Sequence, residues 1–216
     1  KYLKEDGYQI IAFEGPGQGN VLIKQGIALD YRWEKAVKKI LDYLSLDDVS
    51  IFGISMGGWF ALRAAAFETR IKNVIATGHA VDYMKIPPAA AAWLMLFFIK
   101  HFRNYTIKSF KKEIENGGQN SWQIRNLMQI TKNDNPLEAF EYAMNLNIEN
   151  LHPDLIKQNL LLLTAENDHF IPFKLQKMQK KTFISAKSLT ERVFTKDEQA
   201  DNHCQIGNIQ LMLDTV

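Results

Sequence analysis

Cysteine is almost missing from this chain: Cys204 is the only one in 216 residues, which excludes an intramolecular disulfide. A lone thiol suits a reducing compartment, and a cytoplasmic location is the expectation. Long apolar runs are missing too. The longest, AAAAWLMLFFI at 89–99, is about half of the ~20 residues a bilayer span needs, so it reads as a buried or pocket-lining helix. Charge of one sign is scarce. The formal net charge is +2, and KAVKKI and KMQKK read as solvated helix faces, so neither a nucleic-acid nor a membrane partner is expected. No apolar leader opens KYLKEDGYQI. The chain begins without Met, and its native start is expected upstream. Repeats and low-complexity tracts are absent. No histidine pair has H-x-x-x-H spacing with a third ligand, so no metal and no cofactor are expected.

What is present has a globular balance, with 46% hydrophobic and 23% charged residues. YQIIAF (8–13) reads as a buried strand ending in the turn cluster EGPGQGN. Residues 30–44 place apolar side chains at 33, 36, 37, 40, 41 and 44, a helical spacing with Asp30 as N-cap. VSIFGI (49–54), KNVIATG (72–78), LLLLT (160–164) and ERVFT (191–195) read as further strands. MGGWFALRAAAF (56–67), PFKLQKMQKK and the closing IGNIQLMLDTV read as helices. This alternation predicts an α/β fold, a mostly parallel sheet flanked by helices. Residues 82–155 break the rhythm. They read as helices at 88–102, about 121–131 and 136–146, the last opened by Asn135 and Pro136. The expected organisation is a core of 1–81 and 156–216 with a helical cap inserted at 82–155.

Gly53-Ile54-Ser55-Met56-Gly57 fits G-x-S-x-G between a strand and a helix. Such a turn thrusts the Ser55 hydroxyl out over the sheet, and side chains at the flanking glycines are expected to collide with strand and helix. The Met56 N–H and the helix N-terminus then face any negative charge developing at the serine, so Met56 is the oxyanion candidate. A serine hydroxyl needs a base, and the base an orienting acid. TAENDHFIP (164–172) offers Glu166 and Asp168 after one strand, and DNHCQIG (201–207) offers His203 after the next. Both follow parallel strands at the sheet edge that carries Ser55.

With these residues the chain resembles the α/β-hydrolase superfamily. FEGPGQG (13–19), GISMGG and NHCQIGN are similar to bacterial hydrolases of the dipeptidyl aminopeptidase or acylaminoacyl-peptidase-like kind, and to the pseudooxynicotine-hydrolase group. The resemblance implies an acid in a pattern close to G-x-x-D-x-x-x-P. Ala165 to Pro172 matches it with Ala for Gly, which favours Asp168 over Glu166. It also implies that His203 is the base. The same resemblance makes YQIIAF the family's fourth strand. A third strand, whose following loop supplies the second oxyanion donor, would precede it, yet only seven residues do. A gap is therefore expected between YQIIAF and VSIFG, and the chain is expected to be the C-terminal part of a longer protein.

Competing readings are weaker. Gly15, Gly17 and Gly19 are spaced G-x-G-x-G, with Asn20 where the dinucleotide fingerprint requires Gly. His79 ends a strand and reads as a satisfied loop histidine, and His169 is expected to face away from the imidazole of His203. Cys204, adjacent to His203 in the chain, reads as a packing thiol. The expected activity is a serine hydrolase cleaving an acyl bond, ester or amide, with Ser55, His203 and Asp168 as the triad. The alternatives are a C–C bond hydrolase with the same triad and a non-catalytic binding protein of the same fold. The expected partner is a small-molecule or short-peptide acyl substrate, its greasy part contacting Trp93 and Phe97. A homodimer stays open.

Overall fold

The computed structural model describes residues 7–216. These fall into two units. The first comprises 7–13, 32–81 and 148–216, and the second 14–31 and 82–147. The segment 148–155, expected in the cap, lies in the first unit, and 14–31 lies in the second.

The first unit is built on four parallel strands in the spatial order β1-β2-β3-β4. They are β1 (Val49–Ile54), β2 (Ile71–Thr77), β3 (Asn159–Ala165) and β4 (Ser188–Phe194). Among the described residues each strand pairs with its predecessor in sequence. Parallel strands need crossovers that cover both faces, so their sequences run apolar without alternation. Leu160, Leu162 and Leu163 are all buried, on both sides of the pleat. On one face Leu163 and Phe194 pack with Ala200, Met212 and the partly buried Phe52, Ile75 and Leu161. The helix α3 (Met56–Phe67) lies against β1 and β2, with Trp59 and Leu62 fully enclosed. Burial of such side chains contributes roughly 1.5–3 kcal/mol each.

A polar ladder crosses the other end of the sheet and pins its register. Asn73 donates to Ser50 Oγ at 3.0 Å, Asn159 to Asn73 Oδ1 at 2.9 Å, and Ser188 to Asn159 Oδ1 at 2.9 Å. The register sets Ile54 beside Thr77, Thr77 beside Leu163 and Ala165 beside Phe194. The C-terminal strand ends after which Ser55, Asp168 and His203 follow therefore share one edge.

Helix α2 (Glu34–Leu44) packs on α3. Trp33 stacks on Phe60 at 4.7 Å with planes 5° apart, and Arg63 pairs with Glu34 through two hydrogen bonds of 2.9 and 3.0 Å. Asp30 is not the N-cap. The helix starts four residues later, after Trp33, because Trp33 already has helical backbone angles and its carbonyl accepts from Val37. The loop after β3 leads into α9 (Phe173–Thr182), and α10 (Ile209–Asp214) closes the unit.

YQIIAF does not form the expected buried strand. Residues 8–13 are exposed and carry no regular structure. A strand exists only by hydrogen bonding to a neighbour, and β1 is bonded to β2 alone among the described residues.

The second unit is helical. It contains α1 (Gly19–Ile23), α4 (Ala89–His101), α5 (Arg103–Asn116), α6 (Gly118–Thr131) and α7 (Pro136–Ala143). The capping of α7 is as read, with Asn135 Oδ1 accepting from the Leu137 N–H at 3.1 Å. Helix α5 was not anticipated, although Ile107, Phe110 and Ile114 follow helical spacing. Among the described residues no helix is long and apolar enough to cross a membrane.

Candidate active site

Ser55 sits between β1 and α3 with φ 56° and ψ −127°, outside the regions that side-chain-bearing residues favour. Such strain persists only where the surroundings over-determine it. Here the Ser55 N–H donates to the Thr77 carbonyl at 2.8 Å, and the Ser55 carbonyl accepts from Gly58 at 2.9 Å. The glycines are required for closeness, though not the pair expected. A Cβ on Gly53 would lie 2.1 Å from the Gly57 oxygen, and one on Gly58 would lie 2.8 Å from the His79 Cβ. A Cβ on Gly57 would meet nothing within 4 Å. The crowding that fixes the turn is therefore at 53 and 58. Met56 is the first residue of α3, so its N–H stands at the positive end of a twelve-residue helix.

His203 Nε2 lies 3.0 Å from Ser55 Oγ, and His203 Nδ1 lies 3.0 and 2.9 Å from the two oxygens of Asp168. All three residues belong to the first unit. Asp168 Oδ1 also accepts from the Phe170 and Ile171 N–H groups at 2.8 and 2.9 Å. Burial would raise the carboxyl's pKa. The His203 hydrogen bond and the two backbone donors outweigh it and hold the pKa below its ordinary value. For His203, burial would lower the pKa. The bond to Asp168, with a smaller push from the Cys204 sulfur, reverses this and raises it to about 9. Glu166, the other acid considered, is exposed.

The acid loop is braced from two sides. Gln176 of α9 exchanges hydrogen bonds with the Ala165 backbone and donates to the Ile171 carbonyl at 3.0 Å. Asn167 bonds Asp201 through both backbone and side chain, at 2.8 Å each. No sequence signal marks these braces, because a glutamine in a Lys-rich helix reads as surface.

The other histidines are resolved as follows. The His169 ring does not turn away: it stands 5.9 Å from the His203 ring, edge-on, with Phe170 at 4.8 Å. His79 is buried and both ring nitrogens lack a hydrogen-bond partner among the described residues. Burial pushes its pKa down to about 4, so it is neutral near pH 7. His101 packs on Phe97, and His152 on Phe67. Cys204 is a buried free thiol. In the second unit the FEGPGQG loop is filled by its own side chains. Glu14 accepts from the Asn20 N–H at the start of α1, and a Cβ on Gly19 would collide with that carboxylate. Trp93 and Phe97 stack on each other at 5.7 Å and are both exposed.

The 2,6-dihydroxy-pseudo-oxynicotine hydrolase structure superposes with a TM-score of 0.65 at 19% identity, over 94% of this chain and 49% of that one. The chain has the α/β-hydrolase fold. No family model matches this hydrolase-fold chain. Among curated proteins it is 34% identical over 117 residues to hydrolase LUC6 of a Fusarium species, covering 28% of that protein. It is 41% identical over 81 residues to the alpha/beta hydrolase psoB of Aspergillus fumigatus, covering 18% of that protein. The stretches shared with these relatives are thus well under two thirds of their length.

Proposed function

We propose that this chain acts as a serine hydrolase of acyl compounds, with esters and amides as the substrate class. The observation that carries the proposal is the continuous relay from Ser55 Oγ through His203 to Asp168, with links of 3.0 and 2.9 Å. Its similarity to curated hydrolases agrees with that chemistry.

Neutral His203 accepts the Ser55 proton at Nε2 as Oγ attacks the substrate carbonyl. Asp168 accepts the Nδ1–H, which fixes the tautomer and stabilises the imidazolium that forms. The Met56 N–H and the head of α3 stabilise the oxyanion. Protonated His203 then delivers its proton to the leaving alkoxide or amine as the C–O or C–N bond breaks, leaving an acyl-serine. Water, deprotonated by His203, attacks the acyl carbon, and Ser55 recovers its proton as the acid product leaves.

Mass spectrometry after treatment with a fluorophosphonate tests this. One adduct on Ser55 is expected, lost in Ser55→Ala and His203→Gln. An unlabelled chain, or labelling that survives Ser55→Ala, overturns the proposal. The acid assignment has its own test. Asp168→Asn is expected to lower kcat by about 10⁴-fold by disfavouring the productive tautomer, and Glu166→Gln to leave it near the unsubstituted value. The reverse order would move the acid to Glu166.

A further inference from the structure

We propose that Thr77 and Gln205 form a positioning pair that sets the His203 imidazole against Ser55. This rests on the hydrolase reading for its catalytic meaning, though not for its structural test. Thr77 is the last residue of β2 and is fully buried, as is Gln205. Its hydroxyl donates to Gln205 Oε1 at 2.6 Å. Its carbonyl accepts the Ser55 N–H at 2.8 Å. One residue therefore grips both sides of the reacting pair: the nucleophile turn by its main chain and the histidine loop by its side chain.

The histidine loop needs such a grip. Cys204 and Gln205, the two residues after His203, both have left-handed backbone conformations, with φ 55° and 53°. Side-chain-bearing residues adopt that region singly and at a cost, so two in succession must be held in place. Within the loop, the Gln205 N–H donates to the Asn202 carbonyl at 3.0 Å. The bond to Thr77 fastens it to the sheet. Gln205 Nε2 has no partner among the described residues, so loss of the Thr77 hydroxyl would leave this buried amide with no hydrogen bond. The neighbouring Gly78 permits the approach. It has φ 60°, and a Cβ there would lie 2.5 Å from Cys204 Sγ and 3.1 Å from His203 Cε1. The loop is seated on the bare end of β2, and Thr77 fixes where along that end it rests.

The test compares Thr77→Val, which keeps the shape and removes the hydroxyl, with Thr77→Ser, which keeps the hydroxyl. Circular dichroism checks that each is folded. The first readout is the far-downfield proton resonance of His203 Nδ1–H bonded to Asp168, assigned by its loss in His203→Gln. The second is hydrolysis of p-nitrophenyl acetate. For Thr77→Val the resonance is expected to shift or broaden away, and kcat to fall by about ten-fold or more with KM little changed. Thr77→Ser is expected to restore both. A folded Thr77→Val with the resonance and kcat of the unsubstituted chain overturns the pair. So does a Thr77→Ser variant as impaired as Val, since the retained hydroxyl would then restore nothing. Gln205→Met, with the same expected losses, replaces Thr77→Val if that variant does not fold. If the unsubstituted chain hydrolyses nothing, the functional proposal falls, and the resonance alone decides the positioning pair.

Discussion

At the scale of single residues, His203 carries the most consequential charge. With its pKa held up at about 9, the imidazole is mostly protonated at neutral pH, the form that could not accept a proton in the proposed mechanism. Fluorophosphonate labelling of Ser55 should therefore accelerate as pH rises from about 6 and level off above about 9. A rate that is flat across that range, or falls, would separate labelling from His203. The glycines give a second residue-scale expectation. Gly53→Ala drives a Cβ into the Gly57 carbonyl and should destabilise the fold by several kcal/mol, roughly the scale of severe overpacking. Gly57→Ala meets open space on a helix and should be neutral or stabilising by up to about 1 kcal/mol. Thermal denaturation of the two variants decides between this assignment and the motif's simple reading, in which both glycines matter equally. The motif names residue types by spacing. It does not carry which neighbour comes within 3 Å.

At the scale of elements, an ion pair joins α2 to α3 beside the stack of Trp33 on Phe60. Arg63 is buried, bonds Glu34 bidentately, donates to the Asn150 carbonyl and lies over the Phe67 ring at 4.1 Å. Glu34→Ala removes the carboxylate that accepts two hydrogen bonds from the buried guanidinium. Breaking such a pair costs about 3–5 kcal/mol when fully buried. Glu34 is only half-buried, so about 2–3 kcal/mol is expected from urea denaturation. A loss under about 0.5 kcal/mol would show that Arg63 is held by its other contacts. Strand β3 was legible in the sequence because a buried parallel strand reads as an apolar run bounded by turns, and β1, β2 and β4 were legible from shorter β-branched and aromatic runs in the same alternation with helices. YQIIAF shows the same signal and fails, since periodicity reports what a segment could pair with and not whether a neighbour is there. Helix α5 was passed over because Lys108, Lys111 and Lys112 mask its apolar stripe. Asp30 is not the cap because Trp33 already has helical backbone angles and α2 begins directly after it.

At the scale of the whole molecule, the site is a link between folding and protonation. The pKa of His203 is raised in the folded state, so its contribution to stability is full below its ordinary value of about 6.5 and is lost as pH rises through about 9. The pKa of Asp168 is depressed. Its contribution is present above about 3.8 and is lost as pH falls through the lower folded value. The urea midpoint should thus be highest between about pH 4 and 6.5 and decline on both sides, with the alkaline decline reduced in His203→Gln. An unchanged alkaline decline in that variant would mean that other groups set it. The hydrogen-bonded grouping of Ser55, Asp168 and His203 was legible because the three follow β1, β3 and β4, whose ends share one sheet edge. The hydrogen bonds of Gln176, Thr77 and Gln205 were not, since a buried amide or hydroxyl has no sequence signature until its partner is known.

The strand order has a consequence for synthesis. Among the described residues β2, β3 and β4 each add to the free side of the strand before them, so none of these three is inserted between two already paired. In this segment Ser55 follows β1, Asp168 follows β3 and His203 follows β4. During synthesis of this segment the Ser55 hydroxyl would be made well before the imidazole proposed to activate it, and the proposed relay could close only once β4 has docked.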